Sequence, residues 1–226
     1  TWAFTQVEEA IILEDDCIPH STFFRFCEEL LDYYRYEERV RVISGDNFQF
    51  GCKHTPYSYY FSRYPHCWGW ATWRRAWNRY DSEMKHWSPS QATTLLMDIL
   101  QNQGAVHYWS KIFESVARGF NSWAYVWTWT CWLYKGLTIL PAVNLISNIG
   151  CGPEATHTKA VNPFANLPTE AIQFPLQHPP EIVPNRVADD FTELKMFSGS
   201  PPTQGKAKSD RSLIQNSLDT LNRHQN

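Results

Sequence analysis

The sequence predicts an α/β fold, in which helices flank a sheet. A short apolar run at 9–13, a stretch with helical spacing of apolar residues after Pro19, and a second apolar run at 40–44 follow one another as strand, helix and strand. Such an order is typical of a βαβ unit with parallel strands and a right-handed crossover. The chain has 226 residues, of which 43% are hydrophobic, and this is enough for one domain with a tail.

Each of the first three elements has its own signal. The run Glu9–Leu13 is short and apolar, as expected of a buried strand. VRVIS at 40–44 predicts a second buried strand, which the turn residues Gly45-Asp46-Asn47 end. Between them an amphipathic helix is predicted, with Ser21 or Thr22 as its N-cap. The apolar positions of that helix are Phe23, Phe24, Cys27, Leu30, Leu31 and Tyr34.

The remaining elements follow from apolar and aromatic spacing. The predicted segments are strands at 57–62 and 137–140, helices at 71–80, 90–102 and 107–118, and a buried helix that ends at Gly136. The proline-rich segment 162–184 predicts extended chain on the surface. Four tryptophans fall at spacings that put several of them on one helical face, which favours core packing: Trp68, Trp70, Trp73 and Trp77.

Composition narrows the classes of function and the domain organisation. A formal net charge of −3 gives no sign of a nucleic-acid surface, and no apolar run approaches the roughly 18 residues of a membrane-spanning helix. The six cysteines show neither C-x-x-C pairs nor zinc-like spacing, so we expect reduced, mostly buried thiols and a cytoplasmic location. We expect residues 1–197 to form the domain and the polar segment 198–226 to be a disordered tail.

The first strand ends in three acids, Glu14-Asp15-Asp16. Adjacent carboxylates repel one another, and a divalent cation such as Mg²⁺ or Mn²⁺ is the simplest partner for them. In an extended backbone Glu14 and Asp16 point to one side and Asp15 to the other, so only part of the triplet can contact one ion. The alternative is a solvated acidic turn in which Asp15 or Asp16 caps the following helix.

The order of several blocks resembles a known family. IILEDD, ISGDN, HCWGWATWRRAW, GLTILPAVNLISNIGCGPEATHT and LPTEAIQFPLQHP, taken together, are similar to nucleotide-sugar glycosyltransferases of the GT-A fold, in the bacterial group related to the N-acetylglucosaminyltransferase I type. The resemblance covers nearly everything from Val7 to about Phe197. It implies a mixed sheet flanked by helices, with the first strands of the fold missing and with them much of the nucleotide pocket.

The resemblance also implies roles for single residues. Asp16 is the expected metal ligand, to an Mn²⁺ or Mg²⁺ ion that bridges the two phosphates of a nucleoside-diphosphate sugar. Glu14 and Asp15 are the expected contacts to the donor sugar and ribose, and His157 the expected second protein ligand. The aromatic Trp68 and Trp70 stack on acceptor sugars if they are not core residues.

The catalytic base is the one role that the sequence does not fill. Where the family carries an Asp between aromatic residues, this chain has Ala124, in Trp123-Ala124-Tyr125-Val126-Trp127. Asp46 in SGDN is the substitute that we name as catalytic, with a turn-forming role as the alternative and Glu154 as a weaker candidate.

These implications give two hypotheses of function. The first is the metal-binding and acceptor-side part of an inverting glycosyltransferase, whose acceptor is a glycan or glycolipid and which needs no nucleic acid or transmembrane segment. A peripheral membrane association is compatible with it, and its activity is in doubt without the nucleotide pocket and the base. The second hypothesis is a noncatalytic carbohydrate-binding or scaffold remnant, and the alternative to both is a structural α/β domain that binds no ligand.

Overall fold

The computed structural model describes residues 1–150 and 164–197, and it has the predicted α/β class, with a mixed sheet and flanking helices. The strands are β1 (Glu9–Ile12), β2 (Cys17–Pro19), β3 (Val40–Ser44), β4 (Tyr59–Ser62), β5 (Trp70–Trp73), β6 (Leu137–Pro141) and β7 (Ile146–Asn148). The helices are α1 (Ala3–Gln6), α2 (Thr22–Tyr33), α3 (Arg74–Trp77), α4 (Pro89–Leu100), α5 (Gln103–Ala117), α6 (Trp123–Leu133) and α7 (Arg186–Met196).

The main sheet has five strands in the order β1-β5-β3-β6-β4. Strands β3 and β6 are parallel, whereas β5 is antiparallel to both β1 and β3, and β4 is antiparallel to β6. Strands β1 and β3 therefore run in the same direction, as predicted, but β5 lies between them. Their carboxyl ends lie at the same edge of the sheet, which is where ligands bind in open α/β sheets.

The predicted helix at 71–80 is wrong over its first part. Trp70–Trp73 forms the strand β5, whose four residues are all buried, and the helix that follows covers only Arg74–Trp77. Aromatic and β-branched residues fit a pleated surface, and Thr72 also donates a hydrogen bond from its side chain to the Arg41 carbonyl at 2.6 Å. The sheet partners on both sides decide the conformation here, although Trp70 and Trp73 are core residues, as expected.

The other predicted elements agree within a few residues, and four elements were not anticipated. Helices α4, α5 and α6 and strands β4 and β6 lie where spacing places them, and 167–183 contains no helix or strand. The unpredicted elements are α1, the helix α7, and a small antiparallel ribbon of β2 and β7. Strands of three residues carry too short a pattern for prediction from sequence.

The chain divides into two compact units. Among the described residues, the first unit contains 1–79, 136–150 and 164–189, and so includes both sheets. Its core contains Phe23, Phe26 and Val42, each fully buried. The second unit contains 80–135 and 190–197 and is helical. In it the rings of Trp109 and Trp132 meet edge to face, with centroids 4.9 Å apart.

Cys17, Cys27 and Cys52 carry free thiols, and the first two are buried. Across 1–150 and 164–197, no helix combines the length and the apolar character that crossing a membrane requires.

A buried ion pair joins strand β4 to helix α7. Asp189, 1% exposed, accepts hydrogen bonds from the Ser62 hydroxyl (2.5 Å) and the Arg63 backbone N–H (3.1 Å), and it forms an ion pair with the Arg63 guanidinium. Burial raises the pKa of Asp189 to about 6, although its hydrogen bonds and Arg63 act in the opposite direction. Desolvation of the carboxylate therefore outweighs the contacts that it makes.

The raised pKa of Asp189 predicts a pH dependence of stability. The folded chain holds this proton more tightly than the unfolded chain does, so the contribution of Asp189 to stability falls as pH rises from about 4 to about 6. In wild type the free energy of unfolding in urea should be lower at pH 7 than at pH 4.5. Asp189→Asn is expected to reduce this difference by on the order of 2 kcal/mol. The exposed neighbour Asp190 gives the control, since Asp190→Asn removes the same charge from the same helix. The same change in unfolding free energy between pH 4.5 and pH 7 in wild type and in Asp189→Asn would contradict this account.

Candidate metal centre at the end of strand β1

The three acids lie in a tight turn between two strands. Strand β1 ends at Ile12, and the Cys17 N–H donates to the Glu14 carbonyl at 3.1 Å, which closes a turn that leads directly into β2. Strand β2 separates the acids from helix α2, which begins after Ser21. Neither Asp15 nor Asp16 is therefore a cap of that helix, and the helix-capping alternative is wrong.

Two of the three carboxyl groups converge. One ligand atom each of Glu14, Asp16 and Cys17 lies within 4.8 Å of the others, whereas Asp15 at the tip of the turn is exposed. Two oxygens on opposite sides of an Mg²⁺ ion lie about 4.2 Å apart, since each bond is about 2.1 Å long. Separations of at most 4.8 Å are compatible with one small divalent cation between the two carboxylates. The grouping of Glu14 and Asp16 was predicted from strand alternation, but a turn produces it.

Asn148 fixes the position of Asp16. Its side-chain amide donates to Asp16 Oδ1 at 3.0 Å, and its own Oδ1 accepts from the Gly150 N–H at 3.0 Å. Asn148 is fully buried on strand β7, where it faces Cys17 across the ribbon. The Asp16 carbonyl also accepts a hydrogen bond from the Ile149 N–H at 2.8 Å. The ribbon of β2 and β7 therefore holds the Asp16 carboxylate in a fixed orientation.

Cys17 is the member of the cluster that the sequence did not indicate. Burial, together with the negative charges of Asp16 and Glu14, raises the pKa of the Cys17 thiol to about 12. The thiol is therefore protonated at neutral pH and donates weakly to Asp16 Oδ1 at 3.7 Å. The two carboxylates are the oxygen ligands that a hard cation prefers.

Close backbone contacts connect this turn to the end of strand β3. The Gly45 N–H donates to the Gly69 carbonyl, and the Leu145 N–H donates to the Gly45 carbonyl, both at 2.8 Å. A Cβ on Gly69 would lie 3.2 Å from a Leu13 methyl, directly before Glu14. The two glycines thus let the turn at 66–69, strand β7 and the end of β1 approach one another closely.

Asp46, the substitute base named from the sequence, is buried in a pair with His66. It is 1% exposed, its Oδ1 lies 2.5 Å from His66 Nδ1, and its Oδ2 accepts from the Trp68 N–H at 3.3 Å. Burial raises the pKa of Asp46, which His66 and the Trp68 N–H partly offset. Nothing local in the sequence connects His66 to Asp46, which lies 20 residues earlier, so this pair is not apparent from the sequence.

The remaining candidates lie elsewhere in the chain. Ala124 is half-buried in the first turn of helix α6, in the second unit. His157, the expected second metal ligand, and Glu154 lie outside the described residues. Trp68 is 9% exposed and meets Phe48 edge to face at 5.3 Å, so it is a core residue together with Trp70.

Comparison with models of known protein families gives no match for this chain, and comparison with curated proteins gives none either.

Proposed function

We propose that this chain carries the metal-binding part of a nucleotide-sugar glycosyltransferase of the GT-A type, with Asp16 and Glu14 at the cation. The observation that supports this most is the convergence of those two carboxylates at the carboxyl edge of the sheet, within 4.8 Å. A carboxylate pair in this position suits a divalent cation that also takes phosphate oxygens. The proposal includes a nucleoside-diphosphate sugar as donor, a glycan or glycolipid as acceptor, and a cytoplasmic location.

The chemistry requires the negative charge on the departing diphosphate to be stabilised. An Mn²⁺ or Mg²⁺ ion supplies this when it is bound, as a Lewis acid at the leaving phosphate oxygens. Asp16, oriented by Asn148, would hold the cation together with Glu14, whose ligand atom lies within 4.8 Å of that of Asp16. Asp15, exposed at the tip of the turn, remains available to the donor sugar or ribose. In this proposal Glu14 is a ligand of the cation, in addition to the donor contact that the resemblance implies.

The position of Ala124 gives a test of whether the chain is an enzyme. Ala124→Asp introduces a carboxylate where the family carries its base, and general base catalysis contributes about 10²–10⁴-fold. With Mn²⁺ and UDP-sugars as the probe donors, a rate of UDP release at least tenfold above wild type in Ala124→Asp would support the enzymatic proposal and would show that wild type has no effective base of its own. The measurement is UDP release with a panel of sugar acceptors.

The control for that gain is an acid placed elsewhere in the same turn of the helix. Trp123 precedes Ala124 and is partly exposed, so Trp123→Asp adds the same charge at a neighbouring position. An increase in both variants would point to a general effect of charge. No Mn²⁺-dependent release of UDP in wild type or in Ala124→Asp would contradict the enzymatic proposal and leave the noncatalytic, carbohydrate-binding alternative.

A further inference from the structure

The Asp46–His66 pair has a polar atom that its surroundings leave without a hydrogen bond. Asp46 is 1% exposed, and its two oxygens already contact His66 Nδ1 and the Trp68 N–H. His66 Nε2 is buried and has no hydrogen-bond partner among residues 1–150 and 164–197. Leaving a buried acceptor unsatisfied costs about 1–3 kcal/mol, so an orphan of this kind calls for an explanation.

The pair also has the electronic arrangement of a base. The Asp46 carboxylate, 2.5 Å from Nδ1, favours the imidazole tautomer that carries its proton on Nδ1 and a lone pair on Nε2. It also stabilises the imidazolium that forms when Nε2 takes a proton, as the aspartate does in a serine-protease triad. Asp189 is a second carboxyl that interacts electrostatically with His66. The ring of Phe48 stacks on the imidazole, with centroids 4.8 Å apart.

The position of the pair relates it to the acids. Asp46 lies two residues after the end of β3, and Glu14 lies two residues after the end of β1, which runs in the same direction. Trp68, whose N–H binds Asp46, precedes the Gly69 that lies against Leu13. The pair and the candidate metal centre therefore share one edge of the sheet within the same unit.

We propose that His66 Nε2 is the proton acceptor for the sugar acceptor's hydroxyl, with Asp46 as its positioning residue. The inference rests on the proposed glycosyl transfer. The hydroxyl oxygen forms a bond to the donor's anomeric carbon, the bond from that carbon to the diphosphate breaks, and the diphosphate keeps the electron pair. The hydroxyl proton moves to His66 Nε2. Because Nε2 is buried and the ring of Phe48 stacks on the imidazole, the proposal requires the side chains around Nε2 to move before a hydroxyl can reach it.

The rival explanation is structural. The Ser44 hydroxyl donates to the His66 carbonyl at 2.6 Å, and Asp46 holds the Trp68 N–H, so the pair also fixes the turn at 66–69. Two substitutions separate the roles. His66→Asn keeps an N–H near the position of Nδ1 and removes Nε2, whereas His66→Gln keeps a polar group near Nε2 and loses the donor to Asp46.

The experiment measures UDP release with Mn²⁺, UDP-sugars and the acceptor panel, together with the melting temperature of each variant. We expect His66→Asn to retain the fold and lose at least 100-fold in rate, and Asp46→Asn to lose rate and to change the pH–rate profile. A folded His66→Asn variant with the wild-type rate overturns the proposal. Absence of release in wild type instead contradicts the proposed function.

A readout that does not require turnover comes from the imidazole itself. In ¹⁵N NMR spectra of the full chain near neutral pH, we expect His66 to carry its proton on Nδ1 and to have an unprotonated Nε2. Asp46→Asn should weaken this preference. A proton on Nε2 in the wild-type chain overturns the proposal, because the lone pair needed to accept the hydroxyl proton is then absent.

Discussion

Asp16→Asn is expected to abolish the stabilisation that Mn²⁺ and a nucleoside diphosphate give to the wild-type chain. A ligand that binds only the folded state stabilises by about 2.7 kcal/mol when its concentration is 100 times Kd, which is several degrees in Tm for a domain of this size. Asparagine keeps an oxygen for the Asn148 amide, which donates to Asp16 Oδ1 in the wild type. The variant thus removes a charged ligand with little change in the surrounding hydrogen bonds.

The control for Asp16→Asn is its neighbour. Asp15→Asn removes the same charge one residue earlier, from an exposed side chain outside the cluster of ligand atoms. We expect Asp15→Asn to keep the wild-type shift in melting temperature when Mn²⁺ is added without the nucleoside diphosphate. Equal responses to Mn²⁺ in wild type, Asp15→Asn and Asp16→Asn, measured as the shift in melting temperature, would contradict the assignment of Asp16.

Gly69→Ala is expected to cost about 2–4 kcal/mol, the largest loss of stability that we predict. Gly69 has φ of +65°, in the left-handed region, and a Cβ there would overlap the Ile146 side chain, with Ile146 Cγ1 at 2.8 Å. Strain in the left-handed region costs about 1 kcal/mol, and overpacking in a well-packed core adds about 1–3 kcal/mol. The measurement is the free energy of unfolding in urea.

Gly51 supplies the matched control. It also has a positive φ, of +82°, but a Cβ added to it would meet no atom within 4 Å. Gly51→Ala should therefore show only the conformational cost of about 1 kcal/mol, and the difference between the two variants measures the crowding at Gly69. Similar losses in both variants would show that the close approach of Gly69 to Ile146 contributes nothing.

The spacing of apolar residues was sufficient to predict the strands and helices whose own apolar residues are buried. Strand β3 and helix α2 lie where their apolar residues place them. Spacing failed at Trp70–Trp73, where four residues fit a helix as well as a strand and where β1 and β3 on either side supply the hydrogen bonds. Pairing between strands distant in sequence has no local signature, which is also why the ribbon of β2 and β7 was missed.

In the candidate site too, contacts between residues close in sequence could be predicted and contacts between distant residues could not. The acids are adjacent in sequence, so the cluster of Glu14 and Asp16 could be anticipated from the sequence alone. Asn148 and His66 could not, since they reach Asp16 and Asp46 across 132 and 20 residues of chain. The ribbon of β2 and β7 brings Asn148 to Asp16, and the turn before β5 brings His66 to Asp46.

The most direct test of the central claim is a count of the Mn²⁺ ions bound by the chain, from the loss of the free-ion EPR signal on titration with and without UDP. The account predicts one Mn²⁺ per wild-type chain, tighter binding with UDP, and no such site in Asp16→Asn. If wild type and Asp16→Asn bind the same number of ions with the same affinity, the turn after strand β1 is not a metal centre.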